Sequence, residues 1–295
     1  MKILVAFSVL LFFHFSCADS AEKKNDDHLE KLNNLTKLDV KMGPIKPGDW
    51  LETHPEKGQT FAQYQKTKFV QPNAEKNKIY IRPVGDFLPE EFKIVEYTAA
   101  YLQDFFGLPT VLMDQIHDSV VPPASRRILA SFEQLHAAYV LDSILYPQVP
   151  EDAIVVIGIT NKDLYPQDSW AFVFGLAYPT KRISVSSMFR YVEDSLTAGN
   201  YHLCLDKMIK TTAHEVAHTF GLKHCINATC VMNGTNGLHE SIRRPNHLCS
   251  ECTKKLYYNL HFNLLERNRK MNAFFMLHHL PKEVEYYNKE KSLMQ

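Results

Sequence analysis

Apolar and polar positions along the chain divide it into short elements of two kinds. Residues 78–84 (KIYIRPV) alternate as a strand does. Leu88-Pro89-Glu90-Glu91 then opens a helix, with proline at the first helical position and acids in the first turn. Phe92, Val95, Ala99, Leu102 and Phe106 recur at helical spacing until Gly107 stops the run. A second helix is predicted over residues 125–145, with Ile128, Phe132, Leu135, Tyr139 and Leu145 on its apolar face. The unbroken run at 153–159 (AIVVIGI) reads as a buried strand, and two more strands follow at 170–177 and 182–187. Residues 203–220 contain neither glycine nor proline and form a long helix stopped at Gly221. Strands first and a late helix bearing histidines predict an α/β (α+β) domain whose active site lies on that helix.

The amino terminus follows a different logic. Lys2 precedes an apolar run from Ile3 to Phe15 that only Ser8 and His14 interrupt, and small residues arrive at Cys17, Ala18 and Ser20. This predicts a secretory signal peptide over residues 1–20 and a secreted product. The run is too short to span a membrane, and no later segment reaches 18 apolar residues. Residues 21–47 form a charged, polar arm, mobile or a short surface helix, and residues 48–295 one domain. With 33 basic and 33 acidic residues the net charge is zero, so nothing suggests capture of nucleic acid or of an anionic membrane.

The chemistry concentrates at His214-Glu215-Val216-Ala217-His218-Thr219-Phe220-Gly221-Leu222-Lys223-His224. Residues four apart on a helix lie on one face, about 6 Å apart, so His214 and His218 can converge on one ion. Gly221 permits a left-handed turn that carries His224 back to the same ion. Three nitrogens and a vacancy are what a catalytic zinc requires, whereas a structural zinc takes a fourth protein ligand. Glu215, one position on, faces aside and can act as general base on a metal-activated water. A bare His-Glu-x-x-His arises by chance; the added glycine and third histidine make accident far rarer.

Loss of the signal peptide leaves five cysteines: Cys204, Cys225, Cys230, Cys249 and Cys252. The last four form two close pairs, the grammar of a four-thiolate structural zinc site. In an oxidising compartment the same four can instead form two disulfides. Cys204 lies about 15 Å along the helix from His214, too far to ligate, and reads as a buried thiol. Met232 can floor the imidazoles or be a plain core residue.

Together these residues, from His214 through Cys225, Cys230 and Met232 to the Cys249-x-x-Cys252 pair, resemble the archaemetzincin family of metzincin peptidases. Gly48-Asp49-Trp50-Leu51, Phe172-Val173-Phe174-Gly175 and residues 182–187 also resemble family segments. The resemblance implies a metzincin-like zincin domain with a mixed sheet, an active-site helix and a C-terminal helix. It also implies two zinc ions: a catalytic one on His214, His218 and His224, and a structural one on Cys225, Cys230, Cys249 and Cys252. Met232 would form a methionine turn, and the strands at 172–177 and 182–187 would flank the cleft and pair with an extended peptide. Of three glycosylation sequons, at Asn34, Asn227 and Asn233, the last two fall inside the cysteine loop, where a glycan would crowd the metal clip; they are expected to go unused.

The leading reading is therefore a zinc metallopeptidase acting on peptides or proteins, with aminopeptidase action on small peptides as one form of it. The alternative is a catalytically silent zinc protein that captures peptides, in which Glu215 has no purpose. A purely structural metal protein would need a fourth ligand, for which His202, Asp206 and His239 are the nearby candidates.

Overall fold

A computed structural model describes residues 31–67, 69–192 and 195–295. The expected signal peptide and the arm up to residue 30 lie outside the described residues. Among the described residues there are eight strands: β1 (Lys78–Val84), β2 (Thr110–Leu112), β3 (Arg126–Leu129), β4 (Phe132–His136), β5 (Ala153–Thr160), β6 (Asp163–Tyr165), β7 (Gly175–Tyr178) and β8 (Ile183–Ser187). Five long helices are α1 (Pro89–Phe106), α2 (Tyr201–Thr219), α3 (Ser250–Leu260), α4 (Leu264–Leu277) and α5 (Pro281–Met294).

The main sheet runs β2-β1-β5-β8-β7, all parallel except β7, which pairs antiparallel with β8 and forms an edge. Every residue of β5 is buried, as a central strand covered on both faces requires. Helix α1 starts at Pro89, where the Leu88 N–H donates to the Glu91 carboxylate, and ends at Gly107 with φ +67°. It packs against α2, which in turn lies across β8 and β7. Ile79, Ile81, Ile157 and Ile159 join both helices in the larger core, while Val156, Ile183 and Val185 face a smaller one with Leu135, Leu141 and Leu145. This is the expected mixed α/β class.

Three expectations change. Residues 125–145 are not one helix. Ala130 and Ser131 adopt φ +50° and +71°, turning the chain so that β3 pairs antiparallel with β4. Helical structure starts only at Ala137. Ile128 and Phe132, counted on the supposed apolar face, are exposed. Partners across the turn and farther along the chain decide the matter: the Arg126 guanidinium engages Asp118 and Glu133, and that of Arg127 donates to the carbonyls of Asp168 and Ala171. The strand expected at 170–177 is shorter, Gly175–Tyr178; before it Val173 bridges to Leu164, the Phe174 carbonyl accepts from the Ser187 N–H, and the Ala171 carbonyl is taken by Arg127. Finally, the expected C-terminal helix is present as α3 but is followed by two more; His261 takes φ +50°, and the Asn263 side chain caps the start of α4 by accepting from the Glu266 N–H.

The arm is docked from residue 32 onward. Leu32 and Leu35 are buried in the larger core, and the Asp39 carboxylate accepts from the backbone and hydroxyl of Ser250.

Candidate active site and cysteine cluster

Helix α2 brings His214 and His218 together, and the turn at Gly221, with φ +85°, returns His224 to them. Ligand atoms of the three rings all lie within 4.8 Å of one another. Each ring is fixed from behind. Nδ1 of His214 donates to the Val231 carbonyl at 2.8 Å, Nδ1 of His218 to the Leu222 carbonyl at 2.6 Å, and Nδ1 of His224 to Glu56 Oε1 at 2.7 Å. Carbonyls only accept, so the Nδ1 atoms of His214 and His218 carry the proton and the Nε2 atoms are bare. Burial holds His214 well below the ordinary imidazole range and pushes His218 down to about 3, keeping both neutral. Their Nε2 atoms stand 3.0 Å apart. Two lone pairs that close repel unless they share an electron-pair acceptor. The donor set is that of a zinc site, in which tetrahedral nitrogens are about 3.4 Å apart.

Among the described residues no fourth ligand joins the group. Asp206 is committed to the amines of Lys207 and Lys210 and to Asn246, so a closed structural site is not formed.

Glu215 is buried beside the histidines, and burial raises its carboxyl to about 8 while the charge of Arg244 pulls the other way. Its side chain rests on Gly175 of edge strand β7: a Cβ at that position would fall 2.6 Å from Glu215 Cγ. The cleft has a volume of about 860 Å³ and is lined by Trp50, Trp170, Phe174, Gly175, Glu215 and the three histidines, among others.

Sequence reasoning missed Glu56 and Arg244. Glu56 Oε1 also accepts from Nε1 of Trp50, at 2.8 Å, and Trp50 sets its edge against His224. The Gly48-to-Leu51 resemblance was the one hint of that link. Nothing local marks Arg244.

Cys225, Cys230, Cys249 and Cys252 are buried, free of disulfides, and bring their sulfurs within 4.8 Å of one another. Cys225 and Cys249 Sγ are 3.6 Å apart, close to the edge of about 3.8 Å in a tetrahedral four-sulfur zinc site. The backbone N–H groups of Met232 and Cys249 point at Cys230 Sγ, as suits a thiolate. Met232 is fully buried, and its carbonyl accepts from the Cys225 N–H. Cys204 is buried and apart from the cluster, its thiol pushed up to about 12 by burial.

A mixed sheet with an antiparallel edge strand above a helix that, with its exit turn, presents three convergent imidazoles and a buried glutamate defines a zincin-like metallopeptidase. Comparison with known proteins agrees. The sequence model of Peptidase family M54 matches residues 119–258. Archaemetzincin-2 of Homo sapiens is 35% identical over 273 residues, covering 78% of this chain and 73% of that one. Human archaemetzincin-1 is 28% identical, and the match spans 51% of its length. The crystal structure of archaemetzincin from Methanopyrus kandleri superposes with a TM-score of 0.50 at 25% identity, covering 64% of this chain and 98% of that one. The chain belongs to the archaemetzincins, peptidase family M54, and is a zinc metallopeptidase.

Proposed function

We propose that His214, His218 and His224 hold the catalytic zinc, that Glu215 is the general base, and that Cys225, Cys230, Cys249 and Cys252 hold a second, structural zinc. The carrying observation is the set of bare Nε2 atoms facing one point while each Nδ1 is held from behind. A zinc ion there supplies Lewis acidity to a water and to the scissile carbonyl. The chain's own groups do the rest. Glu215, buried at the cleft floor, takes a proton from the attacking water and passes it to the departing amine. The outer edge of β7 offers backbone groups that an extended peptide can pair with, and Gly175 leaves room for Glu215 beneath it. The cysteine clip, lying directly after His224 in the chain, holds the third ligand's turn against α3.

In the same reading residues 1–20 direct export, and the mature chain begins near Ala21. Sequencing the amino end of the protein released by producing cells checks this.

The function is tested with purified protein carrying its metal, comparing wild type with Glu215→Ala on a peptide library. Zinc content is expected to stay at wild type while hydrolysis falls by at least about a thousandfold. Product masses separate trimming of the amino end from internal cleavage. Hydrolysis by the variant at near wild-type rate overturns the mechanism; peptide capture without cleavage by wild type points to a silent binding protein.

A further inference from the structure

We infer that Arg244 forms the floor of a carboxylate-binding subsite next to the scissile bond, so that the enzyme selects peptides presenting a carboxylate there. The inference rests on the peptidase reading of the histidine cleft and names its substrate class.

Arg244 follows the helical turn Leu238–Arg243 and is only 6% exposed, yet it lines the cleft together with Thr211, Glu215 and Thr235. Its Nη1 donates to the Asn233 carbonyl at 2.9 Å. The same atom stands 3.0 Å from Nδ1 of His214, which cannot accept because its proton goes to Val231. Its Nε is buried with no partner. Among the described residues no carboxylate comes within ion-pair distance of the guanidinium. The charges of Glu215 and Glu240 act on it only from beyond that distance, and the Glu240 carboxylate is engaged by the backbone N–H groups of Trp50 and Asn236.

A buried guanidinium with no carboxylate in direct contact is costly, and proteins retain one where a ligand completes it. Arg190 and Arg126 show the ordinary solution, paired with Asp163 and Asp118. Arg267, also buried with an unpartnered guanidinium nitrogen, is roofed by the rings of Phe105 and Phe262. Among the described residues Arg244 has neither a carboxylate within ion-pair distance nor a ring stacked on its guanidinium. Its guanidinium can engage a carboxylate with two donors in a water-poor site. It sits behind His214, one imidazole away from the bare Nε2, so the carboxylate it takes belongs to a residue adjacent to the bond being cut. Two sources share that chemistry: an Asp or Glu side chain, and the carboxyl end of a short peptide.

The test uses the metal-loaded protein and matched peptides differing only as Asp against Asn, or Glu against Gln, at each position flanking the cleaved bond. Each is made with a free and with an amidated carboxyl end. Wild type is expected to favour the acid over its amide by about tenfold or more in kcat/KM. In Arg244→Met that ratio falls to near one, and Arg244→Lys restores part of it. Preference that persists in amidated peptides identifies the side chain as the source; preference seen only with a free end identifies the terminus. Equal rates for acids and amides in both wild-type series, or an unchanged ratio in Arg244→Met, overturn the inference. Should Arg244→Met not fold, the wild-type ratios and the Lys variant decide. Binding of the same peptides to zinc-loaded Glu215→Gln, by calorimetry, separates this inference from the peptidase reading. Acid-selective binding without any cleavage by wild type sinks only the latter, and unselective binding sinks the subsite.

Discussion

Oε1 of Glu56 accepts the Nδ1 proton of His224 across 2.7 Å, joining residues 168 positions apart in the chain. A carboxylate behind a metal-binding imidazole fixes the ring's tautomer and orientation and raises its basicity. On the proposed two-zinc reading, Glu56→Ala is expected to weaken zinc binding at the histidine site by about 10–100-fold and to leave an ion held by the cysteines in place. Competition with a graded series of chelators, reading zinc release, checks this; release of both ions in parallel would contradict it.

Gly175 makes a second, purely steric provision. Because an added Cβ would overlap the Glu215 side chain, Gly175→Ala must displace either the edge strand or the carboxylate. We expect kcat to fall by about tenfold or more while zinc content is unchanged, since small displacements of a catalytic group are expensive. Steady-state kinetics beside metal analysis measures both.

Asn233 lies in a sequon, yet its side chain is occupied. Its Oδ1 accepts from the Cys230 N–H, and its Nδ2 donates to the carbonyls of Cys225 and Ala228. A glycan on Nδ2 is incompatible with the folded cysteine loop. Peptide mapping of protein from a glycosylating host should find Asn233 unmodified, whereas the exposed Asn227 is free of that constraint. Asn233→Ala leaves three buried backbone groups unpaired, and unfolding by urea should show a loss of about 2–4 kcal/mol.

In α2, one turn and two turns before the first histidine, Lys210 and Lys207 share the single carboxylate of Asp206. Burial pulls Lys210 down to about 7 against the attraction of Asp206. An unfolded lysine keeps its proton up to the usual value near 10.5, so between 7 and 10.5 the unfolded chain binds more protons. Folding stability from this group therefore rises with pH across that window, by at most about 1.4 kcal/mol per unit. Lys210→Met should lack that rise. Denaturant unfolding at pH 7, 8 and 9 compares the two slopes, and parallel slopes would mean that Lys210 stays charged throughout.

The histidine site was legible because its three imidazoles and Glu215 sit in eleven consecutive residues, where helical spacing and one glycine turn are local geometry. The same holds for β1, α1, β5 and α2, whose periodicity, caps and stops are written in neighbouring residues. The stretch at 125–145 misled for the complementary reason. Ile128 and Phe132 fit a helical stripe by spacing alone, and only the left-handed turn at Ala130 and Ser131, the Arg126–Glu133 pair across it and the reach of Arg127 to Asp168, 41 residues on, make it a hairpin. Glu56 and Arg244 escaped notice because an acid or a base has no periodic signature. What each does depends on which group the folded chain sets opposite it. Sequence by itself thus determined the class of chemistry and the metal it calls for. The tertiary structure decided which side chains stand behind the ligands and which buried charge lacks a partner, since both are relations between residues that meet only when the sheet and helices close upon each other.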